Sequence, residues 1–456
     1  MNKVWEEGSN LPISHRGDVI VVGGGASGVV AALAAARMGQ QVILVEHEAF
    51  LGGNMTLPLP LLGYLDRQGN QIIAGIAEEL VSKLRERGAA DIHRQCPFHV
   101  SYTIVDAEAM KALLLEEIDK AGVKLLLYTT VVGVIMKDHS IEYVIVESKS
   151  GRQAIEGKIF IDASGDGDLA FQAGAPYELG DGKGEMQPPT LVFTLGNVDT
   201  DQFRRFCADN PELFDDFDLS DSHFAKNEKF IAIGLRRVIE EAGKAGEVTP
   251  PIDRVIMFHT MNPGEMAVNM TRPRGVDGTN NEDLTRGEVE CRRQIGQIIE
   301  FLRRRVPGFN NARLLRTSHK MGLRETRRIM GEYVLTGKDL MAGVAFNDAI
   351  GKASYFIDVH HGSNEGFSLE FPQKVYGLPY RSLLPKGIDN LLVTGRCISS
   401  TREAMAATRV MPTCMALGQA AGVAAALSAQ AGISPKKICI ATLQSRLREQ
   451  GVLLPN

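Results

Sequence analysis

The sequence has little to offer a metal or a metal cluster. Its six cysteines, Cys96, Cys207, Cys291, Cys397, Cys414 and Cys439, are scattered through 456 residues with no CxxC pair. That argues against zinc and iron–sulfur sites and agrees with reduced thiols in a cytoplasm. Positive charge is not in excess, since 50 Lys and Arg face 55 Asp and Glu for a net charge of -5. A protein that follows nucleic-acid phosphates usually carries a basic face, so no nucleic-acid partner is expected. Long membrane-spanning runs are missing as well. The longest apolar stretches, 19–36 and 411–427, are broken by glycine and dominated by alanine, as buried elements are. The opening MNKVWEEGSN has acids where a signal peptide needs a basic segment and then an apolar run. No internal repeat or low-complexity tract is present. These absences leave a soluble, cytoplasmic globular protein with 44% hydrophobic and 23% charged residues. It is too long for one core, so two or three structural units are expected.

What is present begins at Asp18. Residues 18–22 read as a buried strand that runs directly into Gly23-Gly24-Gly25-Ala26-Ser27-Gly28, and small apolar residues then follow at helical spacing as far as Gly39. A second strand, 41–45, ends on Glu46, 18 residues beyond Gly28. Each piece has a physical task. Gly23 permits the tight turn, Gly25 lets the backbone approach a pyrophosphate, and Gly28 lets helix and strand pack closely. Ala26 and Ser27 open a helix whose N-terminus faces the phosphates. Glu46 is placed to accept hydrogen bonds from a ribose hydroxyl pair. Strand, glycine turn, helix and acid in register specify an adenine dinucleotide; a structural glycine turn does not explain the acid-terminated second strand.

After Glu46 the chain reads His47-Glu48-Ala49-Phe50-Leu51-Gly52-Gly53-Asn54. A glycine pair soon after the acid resembles glutathione-reductase-like flavoproteins, where that backbone runs along the cofactor. Three later stretches extend the likeness over nearly the whole chain: IFIDASGDGDLA at 159–170, NLLVTGRCIS at 390–399 and RVMPTCM at 409–415. On these residues the chain resembles the FAD-dependent oxidoreductase family. The resemblance implies FAD as cofactor, with His47, Gly53 and Asn54 along it and Val132 at the adenine. It implies Ala163 and Gly165 on the strand that closes the unit, and Gly395 and Arg396 at the diphosphate and ribityl chain. Met411, Pro412 and Thr413 would start a helix aimed at the flavin pyrimidine edge, where its dipole stabilises the charge that reduction places there. Pro412 suits a first helical turn because its missing N–H has no partner there anyway. Gly165 to Ala170 also fits GxGxxA, but GEMQPPT follows some twenty residues on, a proline-broken loop where a second dinucleotide site needs an acid-terminated strand. Covalent flavin attachment through His47 is not expected. NMTLPLPLLGYLD after the glycine pair has no cysteine, which removes a dithiol relay, and no cysteine cluster exists for an iron–sulfur relay.

The expected fold is α/β. A Rossmann-like FAD-binding domain, a parallel sheet with helices, occupies 1–185 and 381–456. It surrounds an inserted substrate domain at 186–380, an antiparallel sheet with helices. Helices are expected over 71–88, 106–121 and 282–305, with charged helical character over 200–245.

Two further stretches carry candidate chemistry. Residues 322–336, GLRETRRIMGEYVLT, resemble the family's G-x-R-E-x-R-R-I-x-G-x-Y element. On a strand Arg324 and Arg328 share one face and Arg327 takes the other. Arg324 becomes a candidate clamp for a substrate carboxylate, and the other two become structural links with Glu325 and Glu332. Residues 355–363, YFIDVHHGS, resemble the family's IDxH segment. His360 is the candidate base, with Asp358 on the same face; His361 points the other way, so the pair does not chelate one metal. Arg402 and Glu403 are further cavity candidates. The expected activity is hydride transfer between a small-molecule, polar substrate and flavin N5, in a protein whose assembly into homo-oligomers stays open. A tRNA-modifying flavoprotein and a non-catalytic electron-transfer subunit remain as alternatives.

Overall fold

The structure is a computed structural model that describes residues 10–214, 223–224, 227–362 and 366–455. Strand β1 (Ile13–Val22) ends in four buried apolar residues, Val19 to Val22. This end is covered on both faces: Val19 and Val21 pack with helix residues such as Val30 and Leu33, and Ile20 and Val22 pack with strand residues such as Val144 and Ile155. Helix α1 (Ala26–Arg37) follows, then β2 (Val42–Val45). β1 pairs in parallel with β2 on one side and with β3 (Gly151–Asp162) on the other. β3 serves two partners along its length. Its first half pairs antiparallel with Ser140–Ser148, and its last residues take the short strand Leu391–Val393 in parallel. The result is a seven-stranded mixed sheet, Rossmann-like at the β2–β1–β3 end.

Helix α2 (Met411–Ala431) is long and apolar enough to cross a membrane by length and composition alone. In this fold most of it is buried, and small residues let it lie directly on α1. A Cβ on Gly418 would stand 2.2 Å from the Ser27 carbonyl oxygen, and one on Gly422 2.2 Å from that of Ala31. Gly28 is as tight, with a Cβ position 1.8 Å from the Gly23 carbonyl oxygen.

The second unit is a five-stranded antiparallel sheet in the order Ile231–Gly234, Val255–His259, Met266–Val268, Phe193–Gly196, Arg313–Thr317. The helix Asn281–Arg305 buries Ile295, Ile298 and Phe301 in the same core as Phe193, Phe203 and Phe309. Asn280 caps that helix by accepting from the N–H groups of Glu282 and Asp283, with acids in the first turn and arginines in the last. Thr190 and Gly322 exchange both backbone hydrogen bonds where the chain enters and leaves this sheet.

That neck corrects the expected insert of 186–380. Beyond Gly322, Leu335, Ile350, Tyr376 and Leu378 join the main core with α2, because the strand Ala349–Ala353 lies against it; a Cβ on Gly351 would meet Ala416 at 3.8 Å. The helix expected over 71–88 is Ile76–Glu86, starting only after Gly75 at φ +69°. Within 200–245 the chain forms helices Thr200–Asp209 and Arg236–Lys244 around a strand; 215–222 and 225–226 of that stretch lie outside the described residues.

A pair of glycine substitutions separates packing from propensity. Gly422→Ala is expected to lower stability by about 1–3 kcal/mol through overpacking against backbone. Gly296→Ala, exposed on Asn281–Arg305 with nothing near its Cβ position, is expected to raise it by up to about 1 kcal/mol. Denaturant unfolding of the two variants checks both signs.

Candidate active site

β1 stops at Val22 because the next residue leaves the sheet at φ +99°. Gly23 donates its N–H to Val45 O at 2.8 Å, and a Cβ there would meet the Ala163 carbonyl oxygen at 2.6 Å. Gly24 donates to Glu46 Oε2 at 2.6 Å and accepts from the Gly52 N–H at 2.8 Å, so the Gly52-Gly53 backbone runs beside the turn. Gly25 is different. A Cβ at Gly25 would have nothing within 4 Å, because its bare face opens onto a cavity of about 990 Å³. That cradle, at a helix N-terminus, fits a dinucleotide pyrophosphate.

The turn residues Gly23, Gly25, Ala26 and Ser27 line this cavity, and so do Glu46, His47, Gly53 and Asn54. Ala163, Gly165, Gly395, Arg396 and Met411 close it from the other strands and from the start of α2. Gly28, Pro412 and Thr413 are buried behind that wall. Val132 corrects an expectation: it is 37% exposed, and Val131 lines the cavity in its place. The pairing register slips between Val131 and Gly133, and a bulge of this kind re-aims the strand. Gly395 needs its left-handed φ of +87°, and a Cβ there would lie 2.7 Å from Ser27 Oγ. Arg396 donates to Leu323 O at 2.7 Å and pairs with Asp166.

Glu46 is buried at the adenine-side end. Burial would raise its pKa, but hydrogen bonds from His47 and from the N–H groups of Glu48 and Gly24 outweigh that and hold it low. His47 bridges Glu46 at 2.9 Å and Glu48 at 3.2 Å, contacts that push its pKa up to about 9. The imidazole is therefore charged at neutral pH, although more than half exposed.

The opposite end is made by Asp358 and His360 on the strand Ile357–His360, with Arg324 and Arg409. His360 Nε2 lies 3.1 Å from Asp358 Oδ2, and its Nδ1 lies 2.5 Å from Arg272 Nη2. Arginine only donates, so Nδ1 is the acceptor and Nε2 carries the proton. Burial, opposed by Asp358 and reinforced by Arg324 and Arg272, pushes the His360 pKa down to about 3. The ring is neutral and both nitrogens are engaged. His360 stands at the cavity wall as expected, but the free nitrogen that a general base needs is taken by Arg272. His361 turns to the other side, to Ser368 at 2.6 Å.

Arg324 precedes the strand Arg327–Ile329 instead of lying on it. It donates Nη1 to Pro188 O at 2.5 Å. Burial, followed by the charges of Arg272 and Arg409, pushes its pKa down to about 9. Arg327 and Arg328 are structural, the first on Asp168 at 2.8 Å and the second on Glu325 at 2.7 Å. Arg402 is a correction. It is bound to Glu325 at 3.0 Å and does not line the cavity, because that carboxylate, 1% exposed, draws both cations. Glu403 is exposed and likewise lies off the cavity wall. Sequence reasoning missed Arg272, which follows a cap strand in TRPR like any strand exit, and Gln187, whose Oε1 accepts the His360 N–H at 3.0 Å. Arg409 carries no signal in the sequence beyond its place ahead of α2. It donates to Asp358 O at 2.9 Å and Arg324 O at 3.1 Å.

Two measurements check the dinucleotide end. Gly25 has φ -75°, open to any residue. Gly25→Val is therefore expected to fold normally, with an unchanged melting midpoint of the unloaded protein, while FAD affinity falls at least roughly tenfold. His47 binds its proton more tightly folded than unfolded. Its stabilisation is complete below pH 6.5 and is lost as pH rises through about 9. The urea midpoint is expected to fall across that window, and His47→Gln to flatten the fall.

A family model described as FAD dependent oxidoreductase matches residues 18–447. No curated protein sequence matches the chain. Similar solved structures include a geranylgeranyl bacteriochlorophyll reductase-like protein from Thermoplasma acidophilum, with 14% identity, TM-score 0.46 and coverage of 96% of this chain and 82% of that one. Another is p-nitrophenol 4-monooxygenase from Pseudomonas putida, with 13% identity, TM-score 0.47 and coverage of 95% and 84%. A third is the flavin-dependent brominase Bmp2, with 12% identity, TM-score 0.45 and coverage of 95% and 83%. With the family match spanning both units, the chain belongs to the FAD-dependent oxidoreductase family, and FAD is its cofactor.

Proposed function

We propose that this FAD-dependent oxidoreductase is of the dehydrogenase/oxidase type, exchanging a hydride between a small polar substrate and flavin N5. One observation carries the reading: the cavity that begins at the Gly25 cradle continues without a wall to the polar cluster of Arg324, Asp358, His360 and Arg409. Bound FAD supplies the two-electron acceptor. The chain's own residues bind and orient. Arg324 is fixed by Pro188 O and by Arg409, which leaves its remaining donors for a substrate. His360, held neutral between Asp358 and Arg272, is a positioning residue that keeps the acid and the arginine apart in fixed geometry. A substrate carboxylate or oxyanion against Arg324 would be held by a preorganised cation, and the O–H or N–H proton released as the hydride leaves would pass to solvent, because both His360 nitrogens are engaged. Phe98, Phe258 and Tyr355 line the same space and restrict water.

Anaerobic mixing of the FAD-loaded protein with hydroxy acids, amino acids and amines, followed at the visible flavin band, tests this. At least one class is expected to bleach the band; bleaching by none, with FAD fully bound, contradicts the reading. The pH–rate profile tests the role of His360. His360→Gln is expected to lower the rate and leave the shape between pH 5 and 8 unchanged. A wild-type break near the ordinary imidazole pKa that vanishes in the variant would restore histidine as the base.

A further inference from the structure

Positive charge at the substrate end is not balanced by the protein. Arg324 and Arg409 line the cavity and Arg272 stands behind His360; burial depresses the pKa of all three, and the charges of Arg272 and Arg409 add to it at Arg324. Three carboxylates lie near enough to act on them: Asp358, Asp253 and Glu325. Asp253 is held by Arg254 at 3.0 Å, and Glu325 by Arg328 and Arg402. With His360 neutral, Asp358 alone faces three guanidinium groups. Buried charge of one sign is costly unless a counter-ion completes it.

The donors of Arg324 say where that counter-ion sits. Its Nη1 is taken by Pro188 O, while Nε and Nη2 have no acceptor among the described residues. Those two N–H groups form one edge of the guanidinium and point side by side, which matches the two oxygens of a carboxylate. Both nitrogens of the Arg409 fork are already directed at Arg324 O and Asp358 O. Arg409 therefore supplies field and Arg324 supplies contacts.

The same cavity also has apolar walls. Leu59, Leu62 and Phe98 come from the FAD-binding unit, and Ile256 and Phe258 come from the antiparallel sheet. His99 connects them to the charged end: it packs on Phe98 at 4.6 Å and Phe258 at 6.5 Å and lies within the field of Asp358.

We infer that the substrate site takes an amphipathic monocarboxylate, with its carboxylate on the Nε/Nη2 edge of Arg324 and its apolar body between Phe98, Ile256 and Phe258. The inference rests on the proposed function for calling this ligand a substrate, and on the cavity alone for its binding. The test titrates the FAD-loaded protein with hexanoate, phenylacetate, acetate, hexanamide and sulfate, read by calorimetry and by the flavin difference spectrum. Hexanoate and phenylacetate are expected to bind at least roughly tenfold tighter than acetate, hexanamide or sulfate. Arg324→Gln is expected to lose at least roughly tenfold for hexanoate while retaining bound FAD. Equal binding of hexanoate and hexanamide, or of acetate and hexanoate, overturns the proposal, as does an Arg324→Gln variant that binds hexanoate like the wild type. If that variant fails to fold, the acid–amide comparison on the wild-type protein decides alone. Hexanoate bound through Arg324, with no flavin reduction by any hydroxy acid, amino acid or amine, upholds the site and contradicts the hydride-transfer reading, so the two claims fail separately.

Discussion

Backbone packed on backbone, with no side chain between, is the contact on which the rest of this molecule depends. Gly28 lies on the Gly23 carbonyl, Gly418 on that of Ser27 and Gly422 on that of Ala31. The last two hold α2 against α1, although the two helices are remote in sequence. They also fix what the helix starts carry. Gly25 faces the cavity from one helix start, and Val410 and Met411 face it from the other. Had larger residues separated the helices, the cradle and the polar cluster would not share one space.

Electrostatics then divides that space into two ends. At the first, a charged imidazole lies between two carboxylates, Glu46 and Glu48, and backbone N–H groups complete Glu46. The carboxylate is thereby kept ionised despite burial, ready to accept from hydroxyl groups. At the second, arginines outnumber the acid and histidine contributes no charge. The ends are complementary to different chemistry: hydroxyl donors at the first, an anion at the second. The two-layer architecture makes this possible, because the arginine end is assembled from the neck of the antiparallel unit, the strand Ile357–His360 and the start of α2.

The dinucleotide end was legible in the sequence because its physics is local. Gly23, Gly25, Gly28 and Glu46 act through spacing along one strand–turn–helix–strand unit, and all four line the cavity or pack behind it. The substrate end was legible only in part, because its physics is not local. Asp358 and His360 share a strand face as periodicity requires, yet the partner that occupies the His360 ring is Arg272, 88 positions away. Arg402, a further cavity candidate beside Arg324, is claimed instead by the buried Glu325. The end of the insert was misplaced for a similar reason. Short strands after Gly322 resemble those before it, and only their contact with α2 assigns them to the main core. Ion-pair choice and helix–strand docking link positions far apart, and one sequence does not display such links.

The central claim is that one cavity holds FAD at the glycine turn and presents the arginine cluster to its flavin. A crystal structure of the FAD-loaded protein tests it most directly. The account predicts the pyrophosphate over Gly25, the ribose on Glu46 and the isoalloxazine ring bordering Arg324, with the Nε/Nη2 edge open beside it. An isoalloxazine ring lying away from Arg324 and Asp358, or a cluster walled off from it by protein, would contradict the account.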